Sequence, residues 1–251
     1  MDERETVALG LSARTAVYSL MQALFGREPQ ESVVASLASS EFLQVTSLFF
    51  DGEPLGGLAG GCCADAAVDG DEQPAGAVLQ ARVGELQAAA QRCADGGAEA
   101  LDALSSAYAR LFVGPRRPEA APWESAHRGE DDTLFQPSTL EVRKAYVAHG
   151  LIPSRYPRIA DDHLAIELGF LASLGQRAAQ AFEQGDAEAW KVNVSASREF
   201  LRDHVRPWLP SFCQALDQAS CGDLYREAAR TLEAFTQVDE AFLAGCVALP
   251  E

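Results

Sequence analysis

Arg158-Ile159-Ala160-Asp161-Asp162-His163-Leu164-Ala165-Ile166-Glu167-Leu168 opens the stretch of this chain whose pattern decides the fold. Leu164, Leu168 and Leu171 recur at helical spacing, and Ile166, Phe170 and Leu174 widen the apolar stripe to most of the circumference. That pattern predicts a helix that is largely buried. Asp161 is the expected N-cap: its side-chain oxygen accepts the unpaired N–H groups of the first turn, and negative charge there suits the helix dipole. Asp162 and His163 are left over as polar groups projecting from the start of an apolar helix.

Working outward, the helical period recurs almost everywhere, and alternating strand patterns bounded by turn signals hardly at all. The expectation is an all-α fold, a single helical-bundle domain covering residues 1–251. About nine helices follow from the periodicity and its Gly and Pro stops, at 6–25, 31–50, 77–94, 98–113, 137–149, 161–185, 186–206, 208–219 and 222–247. Between residues 51 and 76 the chain turns to Asp51-Gly52-Glu53-Pro54, Gly56-Gly57, Gly60-Gly61 and Asp69-Gly70-Asp71-Glu72. These residues are too poor in large apolar groups to pack, so a mobile loop is expected. A second long connection, Pro-punctuated, carries Ala121-Pro122-Trp123-Glu124.

The 251 residues suffice for a full core. Twenty Lys plus Arg against 37 Asp plus Glu give a formal charge of −17, which repels nucleic acid and anionic lipid and favours basic partners. Cys62, Cys63, Cys93, Cys213, Cys221 and Cys246 form neither CxxC pairs nor a regular framework, so reduced thiols are expected. Met1-Asp2-Glu3-Arg4-Glu5 is charged with mixed sign, and no apolar run is long enough for a signal peptide or a membrane span. The expected location is the cytoplasm.

Chemistry-bearing motifs are sparse. The four histidines, His127, His149, His163 and His204, fit no HExxH or Cys/His zinc pattern, and no P-loop, GxSxG elbow or dinucleotide fingerprint is present. No cofactor is expected. His163 and Glu167 stand at i and i+4, so with Asp161 and Asp162 they offer one metal-binding alternative, a metal-dependent hydrolase or oxygenase. His204, beside Leu201 and Trp208 on one face, reads as a satisfied, partly buried core histidine. Tyr108, Leu111 and Phe112 lie on one helical stripe, and Trp123 sits in a Pro-flanked loop that suits a pocket wall. An aromatic groove beside acidic residues suits a basic and apolar peptide. A structural adaptor bundle docking a folded partner is the third reading.

Taken in order, Tyr108-Ala109-Arg110-Leu111-Phe112, Ala121-Pro122-Trp123-Glu124-Ser125, Asp161-Asp162-His163-Leu164-Ala165-Ile166-Glu167-Leu168 and Glu199-Phe200-Leu201-Arg202-Asp203-His204-Val205-Arg206-Pro207-Trp208-Leu209-Pro210 resemble the TorD/DmsD family of redox-enzyme maturation chaperones. The resemblance covers roughly residues 98–242. It implies an all-helical cytoplasmic protein, not an enzyme. Such a protein binds the twin-arginine leader of a molybdopterin oxidoreductase and holds that catalytic subunit until its cofactor is inserted, before export. Long loops permit domain swapping without requiring it, so either a monomer or a domain-swapped dimer is expected. By the same resemblance Tyr108, Leu111, Phe112, Pro122, Trp123, Asp162 and His163 are the expected signal-peptide-binding residues; Asp162, an acid expected to be exposed, is the candidate to pair with a leader arginine. The sequence departs from the family at Ile159 and Ala160, which stand where a Glu-Pro element is common.

Overall fold

Residues 3–50, 73–114, 118–128, 137–152, 159–220 and 222–248 are described by the computed structural model of the chain. Among them lie eleven α-helices: α1 (Glu3–Phe25), α2 (Glu31–Ala38), α3 (Ser40–Ser47), α4 (Ala75–Asp95), α5 (Gly97–Tyr108), α6 (Glu124–Arg128), α7 (Pro137–Ala148), α8 (Leu164–Gln184), α9 (Ala187–Phe200), α10 (Leu209–Gln218) and α11 (Asp223–Ala248). Single π-helical turns, Ala109–Val113 and Leu201–Val205, continue α5 and α9. No strand is present among the described residues, and the one β-type contact there is an isolated antiparallel bridge between Trp123 and His163. The fold is all-α, as the periodicity requires.

The apolar stripe that opened the sequence reading is the centre of the bundle. Leu164, Leu168, Leu171 and Leu174 are all 0% exposed, and α8 packs along α1 on one side and α9 on the other. Each such side chain contributes about 1.5–3 kcal/mol relative to leaving it in water. Gly185, expected as the stop, ends α8 in the left-handed region at φ 73° and lets its N–H reach back to Phe182 and Ala181. Asp186 then caps α9 by accepting from Ala189 N at 2.9 Å.

Close approach of α1 and α8 depends on Gly175. A Cβ there would fall 2.5 Å from Thr15 Oγ1 and 2.9 Å from Arg14 Nη1. Arg14, inside α1, is wholly buried and makes a bidentate pair with Asp239 of α11, Nε to Oδ1 at 2.8 Å and Nη2 to Oδ2 at 3.0 Å. The Tyr18 hydroxyl donates to the same carboxylate at 2.6 Å. This charged knot joins α1 to α11 through the core; the periodicity of α1 gives no sign of it.

Four boundaries differ from expectation. The helix expected at 31–50 is two, because Ser39 takes an extended conformation (ψ 156°) and its hydroxyl caps α3 through Phe42 N. The helix expected from Asp161 starts at Leu164, and its cap is His163 rather than Asp161. Glu124–Arg128, expected as loop, is a short helix. Of the loop expected at 51–76, residues 51–72 lie outside the described residues, and Ala75 already opens α4. Among the described residues no helix is long and apolar enough to cross a membrane.

Candidate functional site

Two segments far apart in sequence meet at the start of α8. Leu164 N donates to Pro122 O at 2.8 Å and Glu124 N donates to Asp162 O at 2.9 Å, so Pro122–Glu124 and Asp162–Leu164 pair as a two-bond antiparallel bridge. The rings of Trp123 and His163 follow, edge to face at 5.3 Å and 88°. The strip itself is led in from the π-helical turn after α5, where Ala120 N donates to Leu111 O at 3.0 Å. His127 holds its far end: one ring nitrogen is 2.9 Å from Ser211 Oγ, the other 2.8 Å from Ala121 O, and the ring stacks on Trp208.

Asp162 and His163 are therefore caps of two different helices. Asp162 Oδ2 accepts from Ser125 N at 2.9 Å, in the first turn of α6. His163 Nδ1 accepts from Ala165 N at 3.1 Å, which places the proton of the neutral ring on Nε2. Asp162 is 0% exposed. It is not the surface acid that its position before an apolar helix suggested, because the bridge to Pro122–Glu124 folds it inward.

Around this bridge lies a buried acidic cluster. Glu124, Asp161, Asp162 and Glu167 are each 0% exposed. Asp161 pairs with Arg143, and its carbonyl accepts from the Tyr146 hydroxyl at 2.9 Å. Glu124 pairs with Arg128 and lies 3.3 Å from His204 Nδ1. Glu167 Oε2 accepts from Trp208 Nε1 at 3.3 Å. Burial, then the charges of Glu124 and Asp162, push the Glu167 carboxyl well above the usual carboxylate range. Burial and the same cluster likewise raise the Tyr146 phenol. Each acid of the proposed metal set thus turns to a separate partner, and His163 has turned away as a helix cap. No group of three or more His, Cys, Asp or Glu able to hold a metal occurs among the described residues. Asp161, Asp162, His163 and Glu167 do not converge as that alternative requires.

Beside His163 opens a cleft of about 630 Å³ between α1 and α8. Its walls include the apolar Ile152, Ile159, Ile166 and Phe170, and the polar Ser19 and Gln22. Its lining among the described residues contains no carboxylate, and its cation is Arg27. Of the seven residues expected to bind a peptide, His163 lines this cleft; Tyr108, Leu111, Phe112, Pro122, Trp123 and Asp162 do not. Leu111 and Phe112 are buried in an aromatic core cluster with Phe25, Phe212 and Tyr225, and Tyr108, 8% exposed, joins it. Pro122 is buried under the bridge, and Trp123 is half-buried.

Sequence reasoning missed Glu124 and Arg128 as members of the site, and placed His204 in the core without its acidic partner. Their i, i+4 pairing lies in a stretch expected as loop, and their other contacts, His204 to Glu124 and the Asp203 carbonyl to Arg128, lie 80 and 75 residues away. Thiol chemistry has little to work with: Cys93, Cys213 and Cys246 are free, and burial raises all three, Cys246 to about 12. The thiols are held protonated, the unreactive form. Cys62, Cys63 and Cys221 lie outside the described residues.

Comparison with known proteins agrees with this architecture. The family model for the nitrate reductase delta subunit matches residues 75–214, more than half of the chain. The chaperone protein TorD of Vibrio cholerae serotype O1 (Classical Ogawa 395) is 28% identical over 227 residues, covering 90% of each chain. TorD of Photobacterium profundum is 27% identical over 142 residues, 57% of this chain and 64% of that protein. TorD of the El Tor Inaba strain of Vibrio cholerae is 30% identical over 137 residues, 55% of this chain and 60% of that protein. The matched span contains the bridge, the acidic cluster and the whole of α8, and the chain belongs to the nitrate reductase delta subunit family as a TorD-type chaperone of molybdoenzyme maturation, not an enzyme.

Proposed function

We propose that this chaperone works in the cytoplasm by binding the twin-arginine leader of a molybdopterin oxidoreductase catalytic subunit and holding that subunit until its cofactor is in place. The observation that carries the reading is the cleft between α1 and α8, with His163 in its wall. Its volume is in the range of ordinary ligand sites. Its mixed apolar and hydroxyl or amide lining suits the uncharged apolar stretch of a leader better than it suits arginine side chains, which would meet Arg27 and find no carboxylate in the described lining. The dibasic head then belongs outside the cleft, where the chain's net charge of −17 favours it. Trp123 and Asp162 act in this reading through His163, whose position they fix.

Titration calorimetry with a synthetic peptide carrying two adjacent arginines and an apolar stretch tests the reading. Saturable binding that is lost when the apolar stretch is replaced by serine and glycine is expected. Absence of binding to any such leader, with capture of the folded oxidoreductase intact, would favour the adaptor reading instead.

A further inference from the structure

We propose that Glu167 is a positioning residue of this site: it shares one proton with Glu124, and that proton fastens the Pro122–Glu124 strip to Asp162–His163. The inference rests on the leader-binding reading for its functional consequence, though not for the shared proton itself.

The four acids of this cluster differ in what neutralises them. Asp161 has the Arg143 guanidinium, Glu124 has that of Arg128, and Asp162 has the Ser125 N–H. Glu167 has neither a cation nor a backbone donor. Its Oε2 takes the indole N–H of Trp208, and its Oε1, like Asp161 Oδ1 and Asp162 Oδ1, is buried and meets no N–H or hydroxyl donor among the described residues. Glu124 is the side chain within hydrogen-bonding reach, and it is a carboxylate. A buried acceptor without a donor costs free energy, and two facing carboxylates that both ionise cost more. One proton on Glu167, donated to Glu124, removes both penalties.

The neighbours on every side favour that state. Asp161 and Asp162 from the turn before α8, Glu124 from α6 and Tyr146 from α7 present negative or acceptor groups. The cations present, Arg128 and Arg143, are directed at Glu124 and Asp161, and the His204 ring faces Glu124. Glu124 directly follows Trp123, so the shared proton holds by its side chain the strip that the bridge holds by its backbone. Loss of the proton sets like charges across that joint and loosens Trp123 from His163.

The raised carboxyl gives the direction. Below the usual glutamate range the group is protonated in folded and unfolded chains alike, and its stabilisation is fully present. It is lost as pH rises through the raised folded-state value. Glu167→Gln keeps the shape, the acceptor for Trp208 and a donor for Glu124, without a titrating proton. Wild-type protein should bind the synthetic leader tightly below the raised value and, beyond it, lose affinity by up to about tenfold per pH unit. Glu167→Gln should match it below that value and hold its affinity above it. Infrared spectra recorded just above the ordinary carboxylate range should contain the carbonyl stretch of a protonated carboxylic acid in the wild type and lack it in Glu167→Gln. Parallel loss of affinity in both proteins, or no protonated-acid band in the wild type, overturns the proposal. If the wild type binds no leader at any pH, the leader-binding reading falls, and the infrared band still decides the shared proton.

Discussion

Asp162 Oδ2 takes the Ser125 N–H inside a buried joint, while the backbone carbonyl of the same residue takes the Glu124 N–H. One residue thus holds the strip by both its side chain and its main chain. Asp162→Ala should cost about 0.5–2 kcal/mol, the usual range for removing an N-cap acceptor. Asp162→Asn should cost less, since the amide oxygen still accepts. Urea unfolding monitored by circular dichroism measures both. Leader affinity should fall in the same order as stability, Ala more than Asn; a full loss of binding in Asp162→Asn with stability unchanged would point instead to a direct ion pair with the leader. His163 carries a similar double duty, as the cap of α8 and a wall of the cleft. His163→Asn, which retains a capping oxygen, separates these roles: melting close to wild type with weakened leader binding is the expected result.

At the scale of elements, α1 and α8 make both the core contact and the cleft. Gly175 of α8 meets Thr15 and Arg14, and Thr15, Ser173 and Gln176 beside it also line the cleft. Gly175→Ala drives a methyl group into Thr15 and Arg14 and should destabilise by about 1–3 kcal/mol through overpacking, despite the better helix propensity of alanine. Ser19 on α1 is exposed and lines the cleft. Ser19→Trp should fill the cleft, leave the melting temperature close to wild type and weaken leader binding at least about tenfold, the loss of about 1.4 kcal/mol. Unchanged affinity by calorimetry would remove the cleft from the binding site. The two π-helical turns belong to the same scale. Each follows a regular helix and re-aims the next residues, Leu111 and Phe112 into the aromatic core and His204 toward Glu124.

At the scale of the whole molecule, the Arg14–Asp239 pair joins α1 to α11 across 225 positions of sequence. Arg14→Met leaves Asp239 charged and buried with the Tyr18 hydroxyl and should cost about 3–5 kcal/mol, whereas Arg14→Met with Asp239→Leu should recover much of that loss. Denaturant midpoints of the three proteins check it. Leader affinity should also fall as salt is raised, because the chain's net charge of −17 attracts the dibasic head over a range that salt screens to about 8 Å at physiological strength. By itself the sequence determined the all-α class, the approximate helix register, the stop at Gly185 and the buried stripe of α8, because helical periodicity and Gly or Pro punctuation are local and each is set by residues within a turn or two. The ordered family blocks also brought Trp123, Asp162 and His163 to notice. Only the tertiary structure decided that Asp162 is buried, that His163 rather than Asp161 caps α8, that Tyr108, Leu111 and Phe112 face the core, and that Glu167 lies against Glu124. Those outcomes depend on a strip from residues 118–128 landing on the start of α8, a pairing made by backbone N–H and C=O groups whatever the side chains, so no local pattern records it.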